Sequence, residues 1–181
     1  MLVDMRTAIL CPGPSLLESF SDEMQYDARI GVNRAVNVFR CDYWASLDER
    51  TFEIAEPIGH PIWLCDKAMY QATCDKHEPA RAFPHHAVED IRTPRDPLCW
   101  HWYTFPASLV WAYEIGATSI DVYGCDWTDA PDFDGGSFPS HHRTARRWER
   151  EAGVVCGIVE WLAGKGVPVY RQSVNGVVPW R

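Results

Sequence analysis

The chain lacks any apolar run long enough to cross a membrane, and its first residues lack the basic-then-apolar pattern of a secretory leader. A cytoplasmic location is the expectation that follows. Positive charge is in short supply. Lys and Arg number 17 against 25 Asp and Glu, a formal net charge of −8. That balance speaks against general binding to duplex nucleic acid, whose affinity comes from cations on phosphate. A disulfide framework is also missing. The seven Cys are odd in number and scattered, and Cys11, Cys65, Cys125 and Cys156 stand inside apolar runs. Buried free thiols fit that placement better. There is no internal repeat and no low-complexity tract. The full dinucleotide fingerprint is absent, as is the P-loop with its Lys.

What is present suits one packed domain spanning 1–181. At 181 residues, with 46% apolar and 23% charged, the chain is long enough to bury a core. Its nine Trp belong mostly to that core, with pocket lining as the alternative. The organising stretch is Thr7 to Leu16. An apolar run, Ala8 to Cys11, reads as a buried strand and breaks at Pro12-Gly13-Pro14. Ser15 then reads as an N-cap, with Glu18 three residues on as in a capping box, ahead of a helix through Leu16, Leu17 and Phe20. Free N–H groups at such a helix start attract anions, phosphate above all, while the plainer reading is a capped turn.

Further strands are expected at 27–33, 42–48 and 61–65. A helical turn is expected at 34–39 and a short helix at 51–55. From 67 to 102 the pattern dissolves into prolines and histidines, and a long lid-like insertion is expected. Order returns as a helix from Pro106 closed by Gly116, a strand at 118–124, an Asp/Gly-rich stretch to His142, a long amphipathic helix at 144–162 and a last strand at 167–171. Alternating strands and helices predict an α/β, Rossmann-like fold with a mainly parallel sheet and helices on both faces. In such sheets ligands sit at the C-terminal strand ends, where strand order reverses. The Cys11 to Ser15 loop, Asn33, Asp48, Asp66, Gly124 to Trp127 and the tail after Arg171 fall there.

In their order, the Gly13-Pro14-Ser15-Leu16 turn, Asn33, Ser46-Leu47-Asp48 and Gly124-Cys125-Asp126 resemble two related groups. One is the 6-hydroxymethylpterin pyrophosphokinase-like domain. The other is the bacterial sialyltransferase family that uses a CMP-activated sugar. The resemblance implies a Rossmann-like transferase with a nucleotide or nucleotide-sugar donor and a small-molecule or glycan acceptor. Gly13, Pro14 and Ser15 would contact donor phosphate, and Asn33 the nucleotide's phosphate or sugar. Thr104 or Ser108 would match a Ser near a helix start. Asp126 would match the late Gly-x-Asp carboxylate, and His141 or His142 the general base. The sequence departs from the pattern at Pro12, where the sialyltransferases carry Asn, and at Thr104-Phe105-Pro106, which lacks their Ser-Gly.

The residues themselves allow the same chemistry. An imidazole titrating near ~6.5 accepts a proton from an acceptor hydroxyl at neutral pH, although a His before a helix also serves as a cap or surface residue. Asp132-Phe133-Asp134 is an Asp-x-Asp that suits Mg²⁺ against a diphosphate, or simply a solvated loop. Asp48, Asp126 and that pair would serve a pyrophosphokinase, which needs the ion on its triphosphate. Arg143, Arg146, Arg147 and Arg150 share one helical face, either to grip an anion or as a solvated face that Glu149 and Glu151 partly neutralise. Cys74, His77, Cys99 and His101, with His85-His86 between, have the residue types of a zinc site at nonstandard spacing, and polar loop residues are the simpler reading. The expected function is a glycosyltransferase-like enzyme. The alternatives are an ATP- and Mg²⁺-dependent diphosphotransferase and a nucleotide-binding module without catalysis. A homo-oligomer is among the assemblies the sequence permits.

Overall fold

A computed structural model describes residues 4–47, 51, 54–66, 85–88, 103–128, 130–135 and 145–180. The strands are β1 (Arg6–Leu10), β2 (Ala28–Val32), β3 (Tyr43–Ala45), β4 (Ile62–Asp66), β5 (His85–Val88), β6 (Ser119–Tyr123), β7 (Val169–Ser173) and β8 (Gly176–Val178). The helices are α1 (Leu16–Ser19), α2 (Thr104–Glu114) and α3 (Ala145–Gly164), with a 3-10 turn at Asn33–Asn37. All described strands join one eight-stranded sheet in the order β5-β4-β3-β2-β1-β6-β7-β8. It is parallel except for β8, which turns back antiparallel on β7. The expected α/β, Rossmann-like class is therefore the observed one.

The sheet is buried on both faces, which is why its central strands read as unbroken apolar runs. Ala8, Ile9 and Leu10 of β1 are fully buried. Alternation sends Ile9, with Ile30, Leu64, Ile120 and Val122, under α2 and α3. Ala8 and Leu10, with Trp44, Trp63 and Tyr123, pack against α1 and the 3-10 turn. Trp44 and Trp63 stack across β3 and β4 with ring centroids 5.8 Å apart. Each such side chain contributes about 1.5–3 kcal/mol through burial alone. Gly116 ends α2 as expected. It holds φ 103°, and the N–H groups of Gly116 and Ala117 return to the carbonyls of Tyr113 and Ala112. That pairing closes the last turn and needs a residue with no Cβ penalty at positive φ.

Three expectations need correction. Residues 85–88 lie inside the stretch read as a lid, yet they form β5, paired in parallel with β4. Backbone pairing along a sheet edge overrode a local pattern broken by prolines. The other residues of 67–102 lie outside the described ones, Cys74, His77, Cys99 and His101 among them. The last strand, expected at 167–171, is shifted to Val169–Ser173, and a further strand, β8, follows it through a tight turn. Finally, Ser15 makes no side-chain cap on α1, which is only four residues long. No helix among the described residues is long and apolar enough to cross a membrane.

Candidate functional site

Strand order reverses between β1 and β6: β1 leads to β2 on one side and β6 to β7 on the other. The crevice above their C-terminal ends is where an open parallel sheet takes its ligands. The Gly13 loop follows β1 there, and Gly124-Cys125-Asp126-Trp127 follows β6.

The two loops are zipped together. Cys11 N–H donates to the Tyr123 carbonyl at 2.8 Å and Gly13 N–H to the Gly124 carbonyl at 3.0 Å. A Cβ on Gly13 would stand 2.2 Å from that carbonyl oxygen and 2.6 Å from Asp126 Oδ2. Gly124 holds φ 65°, and a Cβ on it would stand 2.2 Å from the Cys11 carbonyl oxygen. Glycine is required at both positions because two backbones approach within contact.

Ser15 and Asp126 form the centre of this junction. Ser15 N–H donates to Asp126 Oδ2 at 2.9 Å and Ser15 Oγ–H to Oδ1 at 2.7 Å. Here lies the reason Ser15 does not cap α1: its hydroxyl is taken by the carboxylate. The anion expected over this loop is thus supplied by the protein itself. Leu16 N–H turns back to the Gly13 carbonyl, so the N–H groups of Gly13, Ser15 and Leu16 all have partners within the chain. A phosphate above them would meet the Asp126 carboxylate and its negative charge.

The segment 130–135 closes over the same side. Phe133 N–H donates to the Pro12 carbonyl at 3.1 Å. Arg34 binds Asp132 at 2.7 Å and Asp134 at 3.0 Å. The Asp-x-Asp pair therefore faces a guanidinium, and its donor set does not fit a divalent cation in this arrangement. Among the described residues no group of three or more His, Cys, Asp or Glu is placed to hold a metal. Asn33 adopts φ 51°. Its carbonyl accepts the Trp44 indole N–H at 2.9 Å, while its side-chain oxygen is buried with no partner among the described residues.

On the other face of the sheet, under α3, the rim is built differently. Trp127 holds φ 48°. Asn33 and Trp127 are the non-glycine residues in the left-handed region among those described, and each directly follows the C-terminal end of a strand or its loop on this rim. Such backbone costs of order 1–3 kcal/mol and persists where surrounding structure imposes it. Trp127 packs on Trp180 with centroids 5.9 Å apart, and Trp180 stacks on Phe105 at 6.1 Å. Arg171, from β7, lies over the Trp127 ring at 5.1 Å. Its Nε donates to the Cys125 carbonyl at 3.0 Å.

Glu151 completes this side. It sits on α3 in phase with Val155, Ile158 and Leu162 on the buried stripe. Burial pushes its carboxyl up to about 7, against the pull of the Arg147 charge and the approach of the Trp127 indole N–H. That indole makes no hydrogen bond of good geometry among the described residues. The Cys11 thiol is pushed well up by burial and by its neighbour Cys125, so Cys11 stays a neutral thiol rather than a nucleophile. A carboxyl poised near neutrality inside a crevice is able to take or give a proton.

The other residues singled out from sequence are dispersed. Thr104 Oγ accepts the Leu47 N–H at 3.4 Å, tying the end of β3 to the start of α2. Ser108 is fully buried, and its hydroxyl donates to the Phe105 carbonyl at 2.7 Å. Arg146 and Arg150 are exposed, while Arg147 packs over the Tyr103 ring. Asp48, Arg143, His141 and His142 lie outside the described residues. Glu151, expected from sequence to neutralise part of the arginine face, is instead buried on the apolar stripe of α3. Arg171 is expected from sequence only as a strand end. Each is a charged residue in phase with an apolar face.

No family model, no curated protein and no solved structure matches this chain.

Proposed function

We propose that the chain is a nucleotide-donor-dependent transferase of the glycosyl-transfer kind, with the donor lying across the crevice between β1 and β6. The observation that carries this reading is the pair of left-handed non-glycine residues, Asn33 just after β2 and Trp127 in the loop after β6, beyond the C-terminal ends of the two strands that flank β1. Strain concentrated at the ligand end of a Rossmann-like sheet is the mark of a binding rim. Asp126, fixed by two hydrogen bonds to Ser15, keeps lone pairs for a ligand hydroxyl such as one on a ribose. In the transfer, a base removes the proton of the acceptor hydroxyl. That oxygen bonds to the sugar carbon as the bond to the nucleotide phosphate breaks, and the nucleotide leaves with the electron pair. His141 or His142 is the base in this scheme.

The diphosphotransferase reading is weaker. Its cation would need Asp132 and Asp134, and both are bound to Arg34.

The test is a thermal-shift screen of CMP, CDP, AMP, ADP, ATP and GTP, with and without Mg²⁺. A ligand at a hundred times its Kd stabilises the folded form by about 2.7 kcal/mol. A cytidine nucleotide is expected to raise Tm in EDTA as much as in Mg²⁺. A flat response across the whole set overturns the proposal.

A further inference from the structure

The anion of the donor needs a cation, and the Gly13 loop does not offer one. Its N–H groups are paired within the chain, and Asp126 stands over it. Arg34, a cation on that side, is held by two carboxylates. On the α3 side the situation is the reverse. Arg171 lies one strand away from β6, in register with Val122. It follows Val167 and Val169, both buried, so alternation aims its side chain at the face of α3.

Two contacts fix the guanidinium before any ligand arrives. One edge is anchored by Nε on the Cys125 carbonyl at 3.0 Å, and its plane rests over the Trp127 indole at 5.1 Å. Among the described residues Arg171 makes no ion pair, and its two terminal nitrogens make no hydrogen bond. A guanidinium held in this way presents its terminal fork, which matches two oxygens of a phosphate. Its rotamer freedom is already restricted, so less is lost on binding. The left-handed backbone of Trp127 acquires a reason: it lays the indole under Arg171 at the mouth of the crevice.

We propose that Arg171, positioned by Trp127 and the Cys125 carbonyl, is the phosphate-binding cation of this crevice, in place of the Gly13 loop. For a nucleotide phosphate the inference rests on the donor reading above. For phosphate as a class it stands alone.

The experiment titrates CMP, AMP, cytidine and inorganic pyrophosphate into the whole chain by calorimetry, for wild type, Arg171→Gln and Arg171→Lys, with Tm recorded for each. A charge-assisted bidentate contact predicts that Arg171→Gln weakens CMP by about tenfold to a hundredfold and leaves cytidine unchanged. Arg171→Lys, a charge without the fork, is expected to recover only part of the loss. Binding of pyrophosphate that depends on Arg171, with no nucleotide bound, supports the anion site and overturns the nucleotide reading. CMP binding unchanged in both variants overturns the role of Arg171 and leaves the nucleotide reading intact. No binding of any probe to wild type overturns both. If Arg171→Gln lowers Tm steeply, Arg171→Lys alone decides, because equal affinity for CMP and pyrophosphate in it and wild type excludes the fork.

Discussion

On the α1 side of the crevice the N–H groups of the Gly13 loop find partners within the chain, Gly13 on Gly124 and Ser15 on Asp126, the Pro12 carbonyl accepts from Phe133, and nearby Arg34 is held by Asp132 and Asp134. On the α3 side Trp127 is left-handed, its indole N–H lacks a good acceptor, Glu151 is buried as a carboxyl near neutrality, and Arg171 has no counter-ion among the described residues. One strand junction thus has a largely finished wall, left-handed at Asn33 with that side-chain oxygen unpartnered among the described residues, and an open one. A closed network adds rigidity and little reactivity. Groups held against their preference mark the wall that meets a ligand. The difference teaches that the motif most visible in the sequence builds the scaffold, while less visible residues face the chemistry.

The largest expected effect breaks the finished wall. In Gly13→Ala the added methyl would stand 2.2 Å from a carbonyl oxygen. Neither β1 nor β6 can yield without losing the Cys11 and Gly13 hydrogen bonds. A loss of about 3 kcal/mol or more is expected, by overpacking and broken pairing together, read as a lower urea midpoint. A midpoint within error of wild type would mean that the two loops are not locked, and the contrast between the walls would go.

Glu151 tests the open wall. Its folded value of about 7 stands above its ordinary 4.5, so the folded state holds the proton more tightly. Stability is therefore fullest below about pH 4.5 and falls as pH rises through 7. The gap, at about 1.4 kcal/mol per factor of ten, is worth on the order of 3 kcal/mol. Glu151→Gln removes the titration and keeps the shape. At pH 8 the variant is expected to be more stable than wild type by about 2–3 kcal/mol, and near pH 4.5 to match it, in urea unfolding at the two pH values. An equal change at both would show that Glu151 does not carry this burden.

How much of this was legible follows from what each residue's neighbours in sequence disclose. Strand β1, the Gly116 cap and the α/β alternation are local signals, and they read true. Gly13 and Gly124 were visible as a turn and a strand end, but their mutual contact spans the chain and leaves no local trace. Ser15 carried a capping pattern that a distant carboxylate, Asp126, overrode. β5 was hidden because pairing with β4 supplies its order, not its own periodicity. Glu151 and Arg171 were legible in principle. Glu151 opens the stripe Val155, Ile158, Leu162 of α3, and Arg171 continues the inward alternation of Val167 and Val169. A charge in phase with a buried face is a stronger pointer to a site than a cluster of charges on an exposed one.

The smallest expected effect concerns Ser108, which the resemblance made a donor contact. It is enclosed in α2, with its hydroxyl on the Phe105 carbonyl one turn back. That bond lies within the helix, on the α3 face of the sheet. Ser108→Ala removes a hydrogen bond worth about 1 kcal/mol but places a better helix former at an interior position, which returns about half of that. Stability should change by less than about 1 kcal/mol, and the affinity for CMP not at all. The contrast sharpens if that holds, because donor recognition is then confined to the strand ends. A tenfold loss of CMP affinity with Tm unchanged would instead put Ser108 within reach of the ligand. That would require α2 to part from the sheet, and the open wall would extend beyond Trp127 to Phe105.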